Sequence, residues 1–183
     1  MKALALALLA AACDPGWAYH IPDRAPVQEA SSGLPRYTFS LVGGQVEYRL
    51  RCLFFVAGVD VWSELENRGT TPLAFHVRHI ELLDAAGEEI PLRDAFEDGA
   101  VKTGFYSEPN RGEEFRTGLK IIAPGQTYRI AHRFGSVPAF EPGSSPWRPR
   151  INPRLRAVRF TNRGLESGGA PIPFTVTLEA DFR

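Results

Sequence analysis

Four histidines and two cysteines are the residues of this chain best suited to chemistry: His20, His76, His79 and His132, with Cys13 and Cys52. A zinc site needs about four convergent ligands. His76 and His79 stand in one run, "LAFHVRHIELL", that reads as a single strand. At odd spacing on a strand they point to opposite faces and cannot share an ion unless a bulge intervenes. His79 shares a face with Val77 and reads as a partly buried, satisfied histidine. His132 could approach one of them in space, but no ligand spacing is visible, so neither a metal nor a cofactor is expected. A cysteine nucleophile needs an exposed, electropositive thiol. Cys52 instead falls in "VEYRLRCLF", where Val46, Tyr48, Leu50, Cys52 and Phe54 share one strand face. It reads as a small core hydrophobe. The carboxylate pairs Glu88-Glu89 and Glu113-Glu114 are adjacent, splay to opposite sides of a strand and read as solubilising turn residues. "EDG" at 97–99 lacks the further oxygens of a calcium loop. There is no G-x-S-x-G, no H-E-x-x-H and no phosphate-cradling glycine loop. No catalytic residue, and no enzyme, is expected.

The best remaining feature is basic. "WRPRINPRLRAVRFTNRG" carries Arg148, Arg150, Arg154, Arg156, Arg159 and Arg163 with no acidic residue. Alternation with Leu155 and Ala157 places Arg154 and Arg156 on one exposed strand face. Guanidinium groups bind phosphate or carboxylate bidentately and stack on aromatics. Trp147 beside Arg148 adds a contact hot spot, since interfaces are enriched in Trp and Arg. Trp147, Arg148, Arg150, Arg154 and Arg156 are therefore the candidate binding surface. The competing reading is a solvated face whose charge is answered by the acidic 81–114 region. Over the whole chain Lys plus Arg equals Asp plus Glu at 21 each. That balance argues against a dedicated nucleic-acid binder, which is usually basic.

These residues need elements to hold them. From Tyr37 onward the apolar pattern has period two. "YTFSLV" meets Gly43-Gly44, a hairpin signal, and "QVEYRLRCLF" follows. "GVDVWSELEN" sets Val59, Val61 and Leu65 on one face, and Asp60, Trp62, Glu64 and Glu66 on the other. "EFRTGLKII" meets Pro124-Gly125 and "QTYRIAHRF" follows. "LRAVRF" is short, and "FTVTLEADF" closes the chain with Phe174, Val176, Leu178, Ala180 and Phe182 alternating. "LRDAFEDG" reads as one helical turn. Two long segments, 95–114 and 135–154, break the regularity; loops of that length are where binding surfaces usually lie. About seven to nine short strands with frequent turns predict an all-β, antiparallel sandwich.

The amino terminus gives an address. Lys2 is followed by an unbroken run of alanine and leucine from Ala3 to Ala12. It is far shorter than the ~20 residues that span a bilayer as a helix. Ala10-Ala11-Ala12 directly precede Cys13, and Asp14-Pro15-Gly16 ends any helix. This pattern resembles the signal segment of bacterial lipoprotein precursors. The resemblance implies removal of residues 1–12 and a lipid on Cys13. It also implies a lipid-anchored, periplasm-facing place in the bacterial cell envelope. Asp14 resembles the inner-membrane retention signal of some Gram-negative bacteria. A plain cleaved signal is the alternative; Cys13 and Cys52 would then be free to pair. Residues 13–36 hold four prolines and no periodicity. They read as an extended tether reaching at most ~80 Å, with Trp17 and Tyr19 able to rest at the membrane interface. The sandwich domain is expected over 37–183.

The stretch "VDVWSELENRGTTPLAFHVRHIELLDAAGEEI", with "IIAPGQTYRIAHRF" downstream, resembles bacterial immunoglobulin-like extracytoplasmic domains. One strand ends in Asn at a turn, another in Asp-x-x-Gly, and a Pro-Gly turn precedes an alternating strand. The resemblance implies an immunoglobulin-like β-sandwich and no particular activity. Together these readings lead to a non-catalytic, membrane-tethered interaction or assembly module. Its partners would be the membrane, through Cys13, and another envelope protein or an anionic surface component, with no nucleic acid. An anion or small-ligand carrier using the arginines is the alternative.

Overall fold

A computed structural model describes residues 18–28, 35–55, 58–97, 118–135, 137–138, 140–144 and 150–180. Strands follow in chain order: β1 Tyr19–His20, β2 Val27–Gln28, β3 Pro35–Leu41, β4 Val46–Phe55, β5 Gly58–Asn67, β6 Leu73–His76 and β7 Ile80–Leu83. The series continues with β8 Leu92–Glu97, β9 Leu119–Ile122, β10 Thr127–Gly135, β11 Ala157–Asn162, β12 Leu165–Ser167, β13 Ala170–Pro171 and β14 Phe174–Ala180. The protein is all-β, with three antiparallel sheets ordered β2-β3-β4-β5-β10-β8, β1-β14-β11-β7 and β13-β12-β6-β9. Among the described residues no helix is long and apolar enough to cross a membrane.

Period-two patterning explains the core. The whole predicted face of β4 is buried: Val46, Tyr48, Leu50, Cys52 and Phe54. On β5, Val59, Val61 and Leu65 are buried, and so is Ser63, whose hydroxyl meets the Tyr48 hydroxyl at 2.7 Å. Phe174, Val176 and Leu178 complete the pattern from β14. Edge-on aromatic pairs join the sheets: Tyr19–Phe54 and Phe39–Phe174, each 4.7 Å between centroids, tie the six-stranded sheet to β1 and β14. Phe75 on β6 reaches Tyr128 on β10 at 6.1 Å and draws the third sheet onto the same core. Each fully buried side chain of this size contributes about 1.5–3 kcal/mol.

The β3–β4 hairpin closes as its glycines predict, with Gly43 and Gly44 at positive φ and Gln45 N–H donating to Val42 O. Four expectations need correction. There are more strands than about seven to nine, because two-residue strands such as β1, β2 and β13 are too short to show a period and are made only by pairing, β1 with distant β14, β2 and β13 with their neighbours β3 and β12. "LRDAFE" is an edge strand, β8, because its pairing with β10 outweighs a weak local helical pattern. "LAFHVRHIELL" is two strands in two different sheets; His79 N–H donates to His76 O in the turn between them. The stretch 13–36 is not all tether. Ala18 and Tyr19 are fully buried, Tyr19 pairs with Ala180, and Val27 pairs with Arg36. The folded unit therefore includes Ala18 and Tyr19. Residues 98–117, which include Phe105 and Tyr106, lie outside the described residues.

Candidate functional site

Period two gives β4 and β5 a second face, pointing away from the core. Antiparallel register lines its residues into rows across the six-stranded sheet. One row runs Ser40, Glu47, Glu66, Thr127, and the next Thr38, Arg49, Glu64, Arg129. A third places Arg51 opposite Trp62, with Trp62 opposite Ala131 and Ala131 opposite Phe96. A fourth sets Leu53, Asp60, Arg133 and Asp94 side by side. A cleft of about 350 Å³ opens over the second and third rows, lined by Arg36, Arg49, Arg51, Arg129, Trp62 and Glu64 among others. Its charged lining is four guanidiniums and one carboxylate.

Electrostatics holds these side chains in place. Arg49 bridges Glu64, Glu47 and Glu66, and Glu64 also accepts from Arg129 Nε at 2.7 Å. Burial works against the charge on Glu64, but hydrogen bonds from Arg49 and Arg129 overrule it and hold the carboxyl below its ordinary range. The same balance, burial opposed by Glu64 and Glu47, raises the pKa of Arg49. At the far end Arg133 grips Asp60 with two bonds of 2.9 Å and lies over the Phe96 ring, 5.2 Å from its centroid. Guanidinium groups pair with anions and an indole offers a face to flat apolar groups.

The sequence-predicted surface behaves differently. Trp147 and Arg148, like Cys13 and Trp17, lie outside the described residues. Arg150 is exposed, with Nη1 3.9 Å from Glu141. Arg154 and Arg156 do not share a strand face, because Pro153–Leu155 forms a 3-10 turn capped by the Asn152 side chain. Arg154 is an internal counter-ion. Its Nε donates to Asp84 Oδ2 at 2.6 Å and its Nη2 to Glu88 at 2.8 Å. The buried Asp84 side chain accepts from Ala86 N and Glu88 N as well; burial alone would raise its pKa, yet Arg154 and these amides lower it. Arg163 likewise meets Glu81 at 3.0 Å. Arg156 is exposed, and its carbonyl accepts from Ala180 N. The sequence signal for the cleft was the alternation E-x-R-x-R in β4 facing D-x-W-x-E-x-E in β5, which becomes a site only once register is known.

The histidines part company. His132 is fully buried; its Nε2–H donates to Val77 O at 2.9 Å, and its Nδ1 meets no partner among the described residues. Burial pushes its pKa down to about 4, against the opposing bond to Val77. His76 and His79 do not diverge: across the turn their rings stack at 4.9 Å, and His79 is exposed. Glu166 lies 3.9 Å from His76 Nε2. Among the described residues no group of three or more His, Cys, Asp or Glu is placed to hold a metal ion. Cys52 is a free, buried thiol whose pKa is raised by burial and by Asp60.

No family model matches the chain. No curated protein matches it either. A solved structure described as the X-ray structure of Northeast Structural Genomics Consortium target SoR45 aligns over 77% of this chain and 80% of its own, at 13% identity and a TM-score of 0.31. So loose a likeness leaves function to be read from the chain's own residues.

Proposed function

We propose that the chain is a membrane-tethered, non-catalytic lipoprotein of a Gram-negative cell envelope, anchored by acylated Cys13, with an immunoglobulin-like β-sandwich domain. It works there as an interaction or assembly module. The observation that carries this reading is the outer face of the six-stranded sheet, where ranked charges surround a cleft that Trp62 helps to line. Arginines and an indole bind partners; they do not attack bonds. The sandwich reading is supported by aromatic pairs that join two sheet faces across one core. From Cys13 to Ala18, which is buried in the fold, the chain spans at most ~18 Å. The domain is therefore held close to the headgroups rather than at the end of a long leash.

The test is the mass of the amino-terminal peptide, taken from membrane fractions of a diderm host. An acylated peptide beginning at Cys13 is the expected result. Soluble protein with an unmodified Cys13 overturns the anchor. The second reading, an anion or small-ligand carrier, is favoured by the concavity of the same arginine-lined cleft. A thermal shift with phosphates and acidic glycans separates a carrier from a purely protein-binding face.

A further inference from the structure

We infer that the cleft around Trp62 binds a sugar ring bearing an oxyanion, a phosphorylated or carboxylated saccharide. This rests on the reading of the outer sheet face as the recognition surface and names the chemistry of its ligand. Three kinds of group converge there. Arg36, Arg49, Arg51 and Arg129 supply fork-shaped donors suited to phosphate or carboxylate oxygens. Trp62 lies directly opposite Arg51 in the β4–β5 register, so an apolar plane stands beside a guanidinium. Glu64, whose side chain is 14% exposed, supplies an acceptor.

The acceptor decides the class. A bare anion needs donors only, and a flat aromatic acid needs donors and a stacking surface. A sugar needs both and also an acceptor for its hydroxyl hydrogens. A carboxylate offers about four lone-pair positions; Arg49 and Arg129 each take one oxygen of Glu64, leaving capacity for a hydroxyl. The cleft volume, about 350 Å³, matches one or two sugar rings. The site is also set in advance. Arg49 is held by three carboxylates and Glu64 by two guanidiniums, so little side-chain entropy remains to be lost on binding.

Isothermal titration calorimetry on the full chain tests this with four probes: glucose 6-phosphate, glucuronate, glucose and inorganic phosphate. Glucose 6-phosphate or glucuronate is expected to bind, and which of them binds tells phosphate from carboxylate. Glucose and inorganic phosphate are each expected to bind at least about tenfold more weakly, since each lacks one half of the recognised pair. Affinity is expected to fall as salt rises. Arg51→Gln and Trp62→Leu should each weaken binding about tenfold or more, whereas Arg159→Gln, on the outer face of β11, should leave it unchanged. If Trp62→Leu fails to fold, Arg51→Gln with an unchanged melting temperature carries the comparison. Absence of binding to both acidic sugars overturns the inference. So does equal affinity for inorganic phosphate, or binding that survives Arg51→Gln. The Cys13 peptide mass is independent of this titration, so either reading can fail while the other stands.

Discussion

At the scale of single residues, polar groups inside the core set the protein's sensitivities. His132 is neutral when folded, with its pKa depressed from 6.5 to about 4. As pH falls through 6.5 the unfolded chain gains a proton that the folded chain refuses until about pH 4. Stability from this group is therefore complete above pH 6.5 and lost on the way down to about 4, a change of roughly 3 kcal/mol. Glu64 and Asp84, held below their ordinary ranges, add losses only at more acid pH. In His132→Gln the amide can still donate to Val77 O, so urea unfolding between pH 6.5 and 4 should show a flatter pH dependence than the natural chain. Asn67 is a second such residue. Its amide donates to Thr71 O and Ile122 O at 2.9 Å each, and its oxygen accepts from Gly69 N. Asn67→Ala strands these backbone groups and is expected to cost about 2–4 kcal/mol in urea unfolding.

At the scale of elements, turns and close backbone approaches limit what the strands tolerate. A Cβ on Gly58 would sit 1.9 Å from Phe134 O, where β5 meets β10. Gly58→Ala should destabilise by about 1–3 kcal/mol, read by chemical denaturation. The opposite sign is expected at Val42, a β-branched residue at φ 51 in the β3–β4 turn. Left-handed backbone costs such a residue about 1–2 kcal/mol, so Val42→Asn should raise the melting temperature. The Asn-Arg-Gly turn occurs twice, at 67–69 and 162–164, and in both the Asn oxygen accepts from the Gly N–H. At Gly164 a Cβ would meet His76 O at 2.2 Å. Asn at the strand end makes the turn, and Gly lets a neighbouring strand come close.

At the scale of the whole molecule, the short strand β1 is part of the core rather than of a tether. Tyr19 is fully buried, stacks edge-on against Phe54 and donates its hydroxyl to Leu155 O at 2.8 Å. A chain starting at residue 30 should therefore melt well below one starting at residue 14, whereas a mere tether predicts equal melting temperatures. Tyr19→Ala should cost about 3–5 kcal/mol, as large aromatic truncations in cores do. Arg154 shows the same dependence on distant chain: it neutralises Asp84 across 70 positions of sequence. Arg154→Ala should lower the melting temperature while leaving ligand binding at the Trp62 cleft unchanged.

Already legible in the sequence were the strand class, the inward faces of β4, β5 and β14, the Gly43-Gly44 hairpin and the burial of Cys52. All of these follow from period-two patterning and local turn chemistry, which depend on residues close together in the chain. The rest came from contacts between strands distant in the chain. Tertiary packing split residues 73–83 between two sheets, drew Ala18 and Tyr19 into the core, made Arg154 a counter-ion and brought Arg49, Glu64 and Arg129 into one row. The physical reason is that a row across a sheet is fixed by register between strands far apart in sequence. A slip of one residue would turn every one of these side chains to the other face.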